Sequence, residues 1–269
     1  MVLGRRNSNA AANTAAAWSS HWRVNRDAYV RDPLWVSMIA DRVKLSYLRP
    51  HLPASGTIVE FGCGSGRLLR FAVRHGLRGI GIDYSAEALT VVRQAAEADG
   101  VSLSLLQSDV RRTALPAASV DAVASTGLLE HFSDDDILAI IAEMVRVLKP
   151  GGLFYSDVLP AKWSLYRSLL WLRRQPNEIW ERDCSRRDIE RWLGQAGLER
   201  VHVFGAGVFP PILPYLERSD TVRVIMGQLV RATLPFWTVW DRTAIGEWAG
   251  HYYFATGRKP GGEGTRGHG

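Results

Sequence analysis

The sequence predicts an α/β fold built on a doubly wound, mostly parallel sheet, and three observations carry that prediction. Between residues 57 and 158, short apolar runs alternate with helical patterns of about 10 to 15 residues, the arrangement that joins parallel strands by right-handed crossovers. The first run ends in Gly62-Cys63-Gly64-Ser65-Gly66, a turn of the kind that lets backbone approach a ligand closely. The ten tryptophans avoid residues 36 to 162 and crowd the two flanks, so an aliphatic middle is bordered by aromatic segments.

Each element follows in order. Thr57 to Phe61 reads as the first strand, and Leu68, Leu69, Phe71 and Ala72 mark a helix that stops at Gly76. Arg78 to Asp83 is the second strand; Ser85 caps a helix running through Leu89, Val92 and Ala96 to Gly100. Val101 to Leu106 is the third strand, followed by Gln107-Ser108-Asp109. Val120 to Ser125 is the fourth, and Ser133 with Asp136 opens a helix whose apolar face is Ile137, Ile140, Ile141, Met144, Val145 and Leu148. Pro150-Gly151-Gly152 breaks that helix before a fifth strand, Leu153 to Asp157. Ser185 and Asp188 open a later helix with Ile189, Trp192, Leu193 and Ala196 inward and Gly197 as its stop, leading to a strand at Leu198 to Phe204. Residues 208 to 248 read as helical or irregular, and His251 to Thr256 as the last strand.

Composition narrows the class. With 269 residues, 46% hydrophobic and 22% charged, the chain can bury a full core. Cys63 and Cys184 are too few for a disulfide framework or a four-cysteine zinc site, which fits a reducing compartment, and the cytoplasm is the expected location. No apolar stretch is long enough to span a membrane: Val222 to Trp240 is interrupted by Arg223, Gln228, Arg231 and Pro235. Arg5 and Arg6 precede Asn-Ser-Asn-Ala rather than an apolar core, so no export signal is read. The net charge of +6 comes without a nucleic-acid motif, and no nucleic-acid partner is expected. The predicted organisation is a disordered tail (1–14), a helical cap (15–50), a ligand-binding core (51–158), a lid insertion (159–184), a C-terminal completion of the sheet (185–256) and a disordered tail (257–269).

In an open parallel sheet ligands bind beyond the carboxyl ends of the strands, where strand order reverses. Glu60 with the glycines, Asp83, Asp109 and the pair Glu130-His131 all fall at those ends. A dinucleotide fingerprint, G-x-G-x-x-G, fails because Arg67 occupies the third glycine position, which disfavours a nicotinamide-dependent oxidoreductase. A carboxylate just before the loop suits a cationic ligand better than pyrophosphate.

The runs Val59-Glu60-Phe61-Gly62-Cys63-Gly64-Ser65-Gly66, Gly81-Ile82-Asp83, Ser108-Asp109-Val110, Leu128-Leu129-Glu130-His131-Phe132 and Val147-Leu148-Lys149-Pro150-Gly151-Gly152 together resemble the class I S-adenosylmethionine-dependent methyltransferases, in the branch acting on small molecules, quinone precursors and lipids. The resemblance covers about residues 45 to 160. It implies a Rossmann-like, seven-stranded sheet with its last strand antiparallel, plus a helical lid. It implies that S-adenosyl-L-methionine is the cofactor and S-adenosyl-L-homocysteine the product. Gly62, Cys63, Gly64 and Gly66 would pack on the methionine part, with Glu60 near its ammonium. Asp83, followed by Tyr84, would accept the ribose hydroxyls. Ser108, Asp109 and Val110 would face the adenine, and Ser125, Thr126 and Gly127 would line the floor.

Methyl transfer from a sulfonium needs positioning more than covalent help, and a base only where the acceptor must lose a proton. His131 is the first candidate base, with Tyr29 and His21 as alternates; the bland reading is that Glu130 and His131 only orient the following helix. Ubiquinone-pathway O-methyltransferases carry Glu-x-x-Glu-His with a divalent ion, but Gly127 stands at the first acid here, so no metal is expected. The acceptor would lie between the N-terminal segment (Trp18, His21, Trp22, Tyr29, Trp35) and the insertion (Trp163, Tyr166, Arg167, Trp171, Arg173, Arg174, Trp180), which points to a small apolar, aromatic or lipid-like molecule. Residues 163 to 174 also have an interfacial composition, so peripheral contact at the inner membrane face is an alternative to a soluble lid. A non-catalytic module binding the cofactor or its product is the rival function; oligomeric state is not readable.

Overall fold

The computed structural model describes residues 14–31, 35–52, 54–158, 179, 181–208 and 220–261, with backbone alone at 25, 27–31, 35–40, 220–224, 226, 227, 230 and 231. The strands are β1 (Thr57–Phe61), β2 (Arg78–Asp83), β3 (Ser104–Gln107), β4 (Val120–Thr126), β5 (Leu148–Val158), β6 (Glu199–Ala206) and β7 (Tyr252–Arg258). They form one seven-stranded sheet in the order β3-β2-β1-β4-β5-β7-β6. β1 to β5 pair in parallel, and β7 runs antiparallel to β5 and β6, the topology the resemblance implied. The helices are α1 (Ala15–Arg31), α2 (Trp35–Leu48), α3 (Arg67–Arg74), α4 (Ala86–Ala98), α5 (Asp134–Val147), α6 (Arg186–Gln195), α7 (Asp220–Thr238) and α8 (Ala244–Ala249).

Side chains alternate across each strand, and that period of two divides the core into two layers. Val59, Phe61, Val123 and Phe154 point to the face where α5 and α6 supply Ile137, Ile140, Ile141, Met144, Trp192 and Leu193. Ile58, Ala122, Ala124 and Tyr155 point to the other face, under Val43 and Leu48 of α2, Leu68, Leu69 and Ala72 of α3 and Leu89 and Val92 of α4. The same parity sends Glu60, Thr126 and Asp157, at the carboxyl tips of β1, β4 and β5, toward the α2 layer. Strand order reverses between β1 and β4, so these tips surround the switch point.

The caps act as read. Ser85 Oγ accepts from Ala88 N at 3.2 Å, Ser133 Oγ accepts from Asp136 N at 3.3 Å, and Ser185 with Asp188 makes a reciprocal capping box. Several strand boundaries differ from the sequence reading, β6 among them at Glu199–Ala206 rather than Leu198 to Phe204. β3 begins at Ser104 rather than Val101, because its pairing with β2 starts at Ile80↔Ser104. α5 ends at Val147, and Leu148 with Pro150-Gly151-Gly152 already belongs to β5, where the ladder shifts register between Val120 and Ala122. The last strand is Tyr252–Arg258, not His251 to Thr256: Gly257 pairs with Phe154, and Lys259 Nζ donates to the carbonyls of Val145 (2.8 Å) and Leu148 (2.7 Å) at the end of α5. The chain is therefore held past the predicted tail boundary at 257.

One glycine locks the sheet to the short helix α8. A Cβ on Gly205 would lie 2.2 Å from the Gly246 carbonyl oxygen and 2.7 Å from Glu247 Cα, both backbone atoms that cannot swing aside. Gly205→Ala is expected to cost about 3 kcal/mol or more. Gly194→Ala, in α6 with nothing within 4 Å of the new methyl, is expected to stabilise by about 0.5–1 kcal/mol. Urea denaturation midpoints of the two variants check this pair, and equal midpoints would contradict it.

Candidate functional site

The glycine loop between β1 and α3 bends sharply. Gly62, Gly64 and Gly66 all have positive φ (63°, 51° and 63°), and Gly66 N donates to Cys63 O at 2.7 Å. Space is as restrictive as torsion. A Cβ on Gly66 would sit 2.1 Å from Val92 Cγ2, and one on Gly64 would sit 2.8 Å from the Trp22 ring. Cys63 is buried, and burial with the neighbouring Asp83 and Glu60 pushes its thiol up, which makes it a small buried hydrophobe rather than a nucleophile.

Asp83, ending β2, braces the loop. Its Oδ2 accepts from Gly64 N (3.0 Å) and its Oδ1 from Ser85 N (2.9 Å), so the carboxylate ties the loop to the start of α4. Burial pushes its pKa up, with the backbone N–H groups of Ser85, Gly64 and Tyr84 opposing. The Tyr84 hydroxyl donates to Thr14 O at 3.3 Å, and Ser108 N donates to Asp83 O at 3.0 Å. Asp109, just past β3, is paired within its own turn. Arg111 engages both its oxygens, with Nη2 at 2.7 Å from Oδ2 and Nε at 3.0 Å from Oδ1, and the carboxylate is half-exposed. Val110 beside it is buried.

At the tip of β4, Ser125 Oγ is fully buried and donates to Ser156 Oγ at 2.9 Å, so that side chain binds the sheet together rather than lining a cleft. Thr126 Oγ1 donates to Glu60 Oε1 at 2.7 Å. Gly127, with φ of 62°, donates to Asp157 O at 3.2 Å. A single helical turn, Leu129–His131, then carries Glu130 and His131, both buried.

Helix α1 lies across these tips. Arg23 pairs with Glu87 at 3.1 Å and Arg26 Nε donates to Gln94 Oε1 at 3.1 Å, which anchors α1 along α4. Trp22 then packs on Gly64, and Trp18 meets His131 edge-on at 4.9 Å. His21 sits between Trp18 (5.7 Å) and Trp22 (5.2 Å). Burial and the proximity of His131 lower the His21 pKa, keeping a neutral imidazole available. Two of the three candidate bases, His131 and His21, thus share one aromatic cluster. Tyr29 on α1 and Trp35 on α2 are described by backbone alone, and the insertion residues Trp163, Tyr166, Arg167, Trp171, Arg173, Arg174 and Trp180 lie outside the described residues.

Sequence reasoning missed a buried ionic cluster on the α2 side. Lys44 Nζ lies 3.1 Å from Asp157 Oδ2, and the Tyr155 hydroxyl donates to the same oxygen at 3.0 Å. Asp41, one turn before Lys44 on α2, is buried beside them. Attraction to Asp157 and Asp41 raises the Lys44 pKa despite burial. Glu60 is 1% exposed and its Oε2 has no hydrogen-bond partner. Burial pushes its carboxyl up to about 8. The available signal was Asp41-x-x-Lys44, opposite charges at helical spacing on α2.

A doubly wound sheet with its last strand antiparallel, a three-glycine loop after β1 and carboxylates at the tips of β1 and β2 define the class I methyltransferase fold and cleft. Residues 58–152 match the methyltransferase domain family. The chain is 27% identical to the ubiquinone biosynthesis O-methyltransferase of Nitrosococcus oceani over 187 residues, covering 66% of this chain and 78% of that one. It is 28% identical to the enzyme of the same name from Hahella chejuensis over 202 residues, covering 72% and 80%. Among solved structures, an S-adenosylmethionine-dependent methyltransferase of Thermotoga maritima superposes with a TM-score of 0.61 at 17% identity, covering 91% of this chain and 98% of that one. A phosphoethanolamine N-methyltransferase of Haemonchus contortus, solved with S-adenosylhomocysteine, superposes with a TM-score of 0.54 at 18% identity, covering 81% and 52%. This chain is an S-adenosylmethionine-dependent methyltransferase. The residues present fit that cofactor: a bare, buried carboxylate oxygen on Glu60 suits a cationic group, and the glycine loop leaves no room for a Cβ. Among the described residues no three His, Cys, Asp or Glu side chains converge as metal ligands, and no helix is long and apolar enough to cross a membrane.

Proposed function

We propose that the enzyme methylates a hydroxyl on a small apolar or aromatic acceptor, bound between α1 and the turn after β4. The aromatic cluster of Trp18, His21, Trp22 and His131 directly over the glycine loop carries this reading. The names of the relatives, ubiquinone biosynthesis O-methyltransferases, support a ring hydroxyl as the methylated group. When bound, S-adenosylmethionine supplies an electrophilic methyl on a positively charged sulfur. The chain's own residues do the rest. Gly62, Cys63, Gly64 and Gly66 hold the methionine part, Glu60 its ammonium, Asp83 the ribose with Tyr84 alongside, and Ser108, Asp109 and Val110 the adenine. Thr126 and Gly127 bound the floor, and Trp18 and Trp22 exclude water from it. His131 takes the acceptor proton, with His21 as the second candidate.

Base catalysis of this kind contributes about 10²–10⁴-fold. His131→Gln is therefore expected to lower kcat by about 10²-fold or more, with S-adenosylhomocysteine affinity preserved. If His21 is the base, its variant shows the larger loss, and the acidic limb of the wild-type kcat/KM profile lies below the ordinary histidine pKa, because His21 is held low. Incubation with methyl-labelled cofactor and hydroxylated aromatic acceptors, followed by mass spectrometry, tests the reaction. Label on nitrogen or carbon alone, or none on any acceptor, would defeat the proposal.

A further inference from the structure

The tips of β1, β4 and β5 and the facing turn of α2 bring together more acid than base. Asp41 and Lys44 come from α2, Glu60 from β1, Asp157 from β5, and the hydroxyls of Thr126 and Tyr155 from β4 and β5. Lys44 is the ammonium within ion-pair distance, and it is taken: its Nζ sits 3.1 Å from Asp157 Oδ2. Asp41 has Arg67 and Arg70 within electrostatic reach besides Lys44. Glu60 has only the more distant pull of Lys44, opposed by Asp41 and Asp157, and Cys63 next to it is a neutral thiol. Its Oε1 takes one hydrogen bond from Thr126 and its Oε2 takes none, at 1% exposure. An ionised carboxylate so placed lacks both water and a counter-charge, which is the condition under which a buried acid keeps its proton.

We infer that Glu60 exchanges its proton for the ammonium group of the cofactor, so that binding of S-adenosylmethionine or S-adenosylhomocysteine releases a proton to solvent. The Oε2–H bond breaks, the proton leaves to buffer, and the carboxylate then accepts an N–H of the arriving ammonium, whose charge replaces the proton's. This rests on the placing of the cofactor's amino-acid end at the β1 tip. It makes Glu60 the residue that distinguishes a nucleoside carrying a cationic amine from one without it. Burial raises the carboxyl to about 8, so at pH 7 the protonated form predominates.

Calorimetric titration of the full chain with S-adenosylhomocysteine at pH 7, in buffers of different ionisation enthalpy, reads the proton count directly. The expected slope has the sign of proton release and corresponds to up to about one proton per ligand, from the single carboxyl involved. Methylthioadenosine, the same thioether nucleoside without its amino acid, is expected to bind at least tenfold more weakly with no proton release. Glu60→Gln is expected to bind S-adenosylhomocysteine with the slope gone. Saturable S-adenosylhomocysteine binding with no buffer dependence in the wild-type protein overturns the inference, as does an unchanged slope in Glu60→Gln. Should that variant fail to fold, the wild-type comparison of the two ligands still decides. Absence of saturable binding by either sulfonium or thioether cofactor overturns the cofactor site itself, and the inference with it.

Discussion

Asp83→Asn is expected to weaken S-adenosylhomocysteine binding by about 10²–10⁴-fold, the loss of two charge-assisted hydrogen bonds worth about 1.5–3 kcal/mol each. We place the ribose hydroxyls on this carboxylate because it ends β2 beside the glycine loop and, with the backbone N–H groups of Gly64, Ser85 and Tyr84 upon it, still has acceptor capacity left. Asparagine offers one oxygen and one NH2, so one of those N–H groups faces another donor. The loop that carries Gly64 is loosened and the sugar loses an acceptor at once. A purely structural role would show in the melting temperature without cofactor; a binding role shows in the dissociation constant at a temperature where both proteins are folded. Calorimetry and a melt on the same preparation separate the two. An affinity within about threefold of wild type would remove Asp83 from the cofactor site.

Asp83 was legible in the sequence because it ends a strand 21 residues after Gly62, and both neighbours in its hydrogen bonds are set by local geometry. The same holds for the caps at Ser85, Ser133 and Ser185 and for the five parallel strands, whose apolar runs and glycine stops are short-range signals. At Asp109 the motif gave the place, just after β3, but not the pairing: Arg111, two residues on, bonds to both oxygens. The β7 end was misread because Gly257 resembles the start of a tail, whereas its lack of a side chain lets Leu198 pack 3.2 Å from where a Cβ would be. What sequence could not show is long-range. Trp22 reaches Gly64 across 42 residues and Lys44 reaches Asp157 across 113, contacts that exist only once α1 and α2 are laid over the sheet. The ionic cluster is therefore invisible to composition and periodicity, although it forms the wall behind Glu60.

That wall has a testable electrostatic consequence. Lys44→Met keeps the side chain's length and removes the cation from a site where Asp157 and Asp41 are buried, so an uncompensated carboxylate remains. Removing one partner of such a pair costs about 3–5 kcal/mol. The sign with pH is fixed. Burial already holds the folded-state pKa of Asp157 above its unfolded value, and without Lys44 it rises further, so the native state holds a proton that the unfolded state has lost over a wider pH range. Stability of the variant then falls as pH climbs through and beyond the ordinary carboxylate range, and the gap to wild type is larger at pH 8 than at pH 5. In the wild type the Lys44 ammonium opposes that rise, and because its own pKa is raised its contribution is intact below the ordinary lysine value and fades only in strong alkali. Lys44→Met combined with Asp157→Asn is expected to recover most of the loss at pH 8, because a neutral pair of similar volume removes the stranded charge. Urea denaturation at both pH values checks the series. A single variant as stable as the double one at pH 8 would mean that the ammonium is not what keeps Asp157 ionised beneath the cofactor cleft.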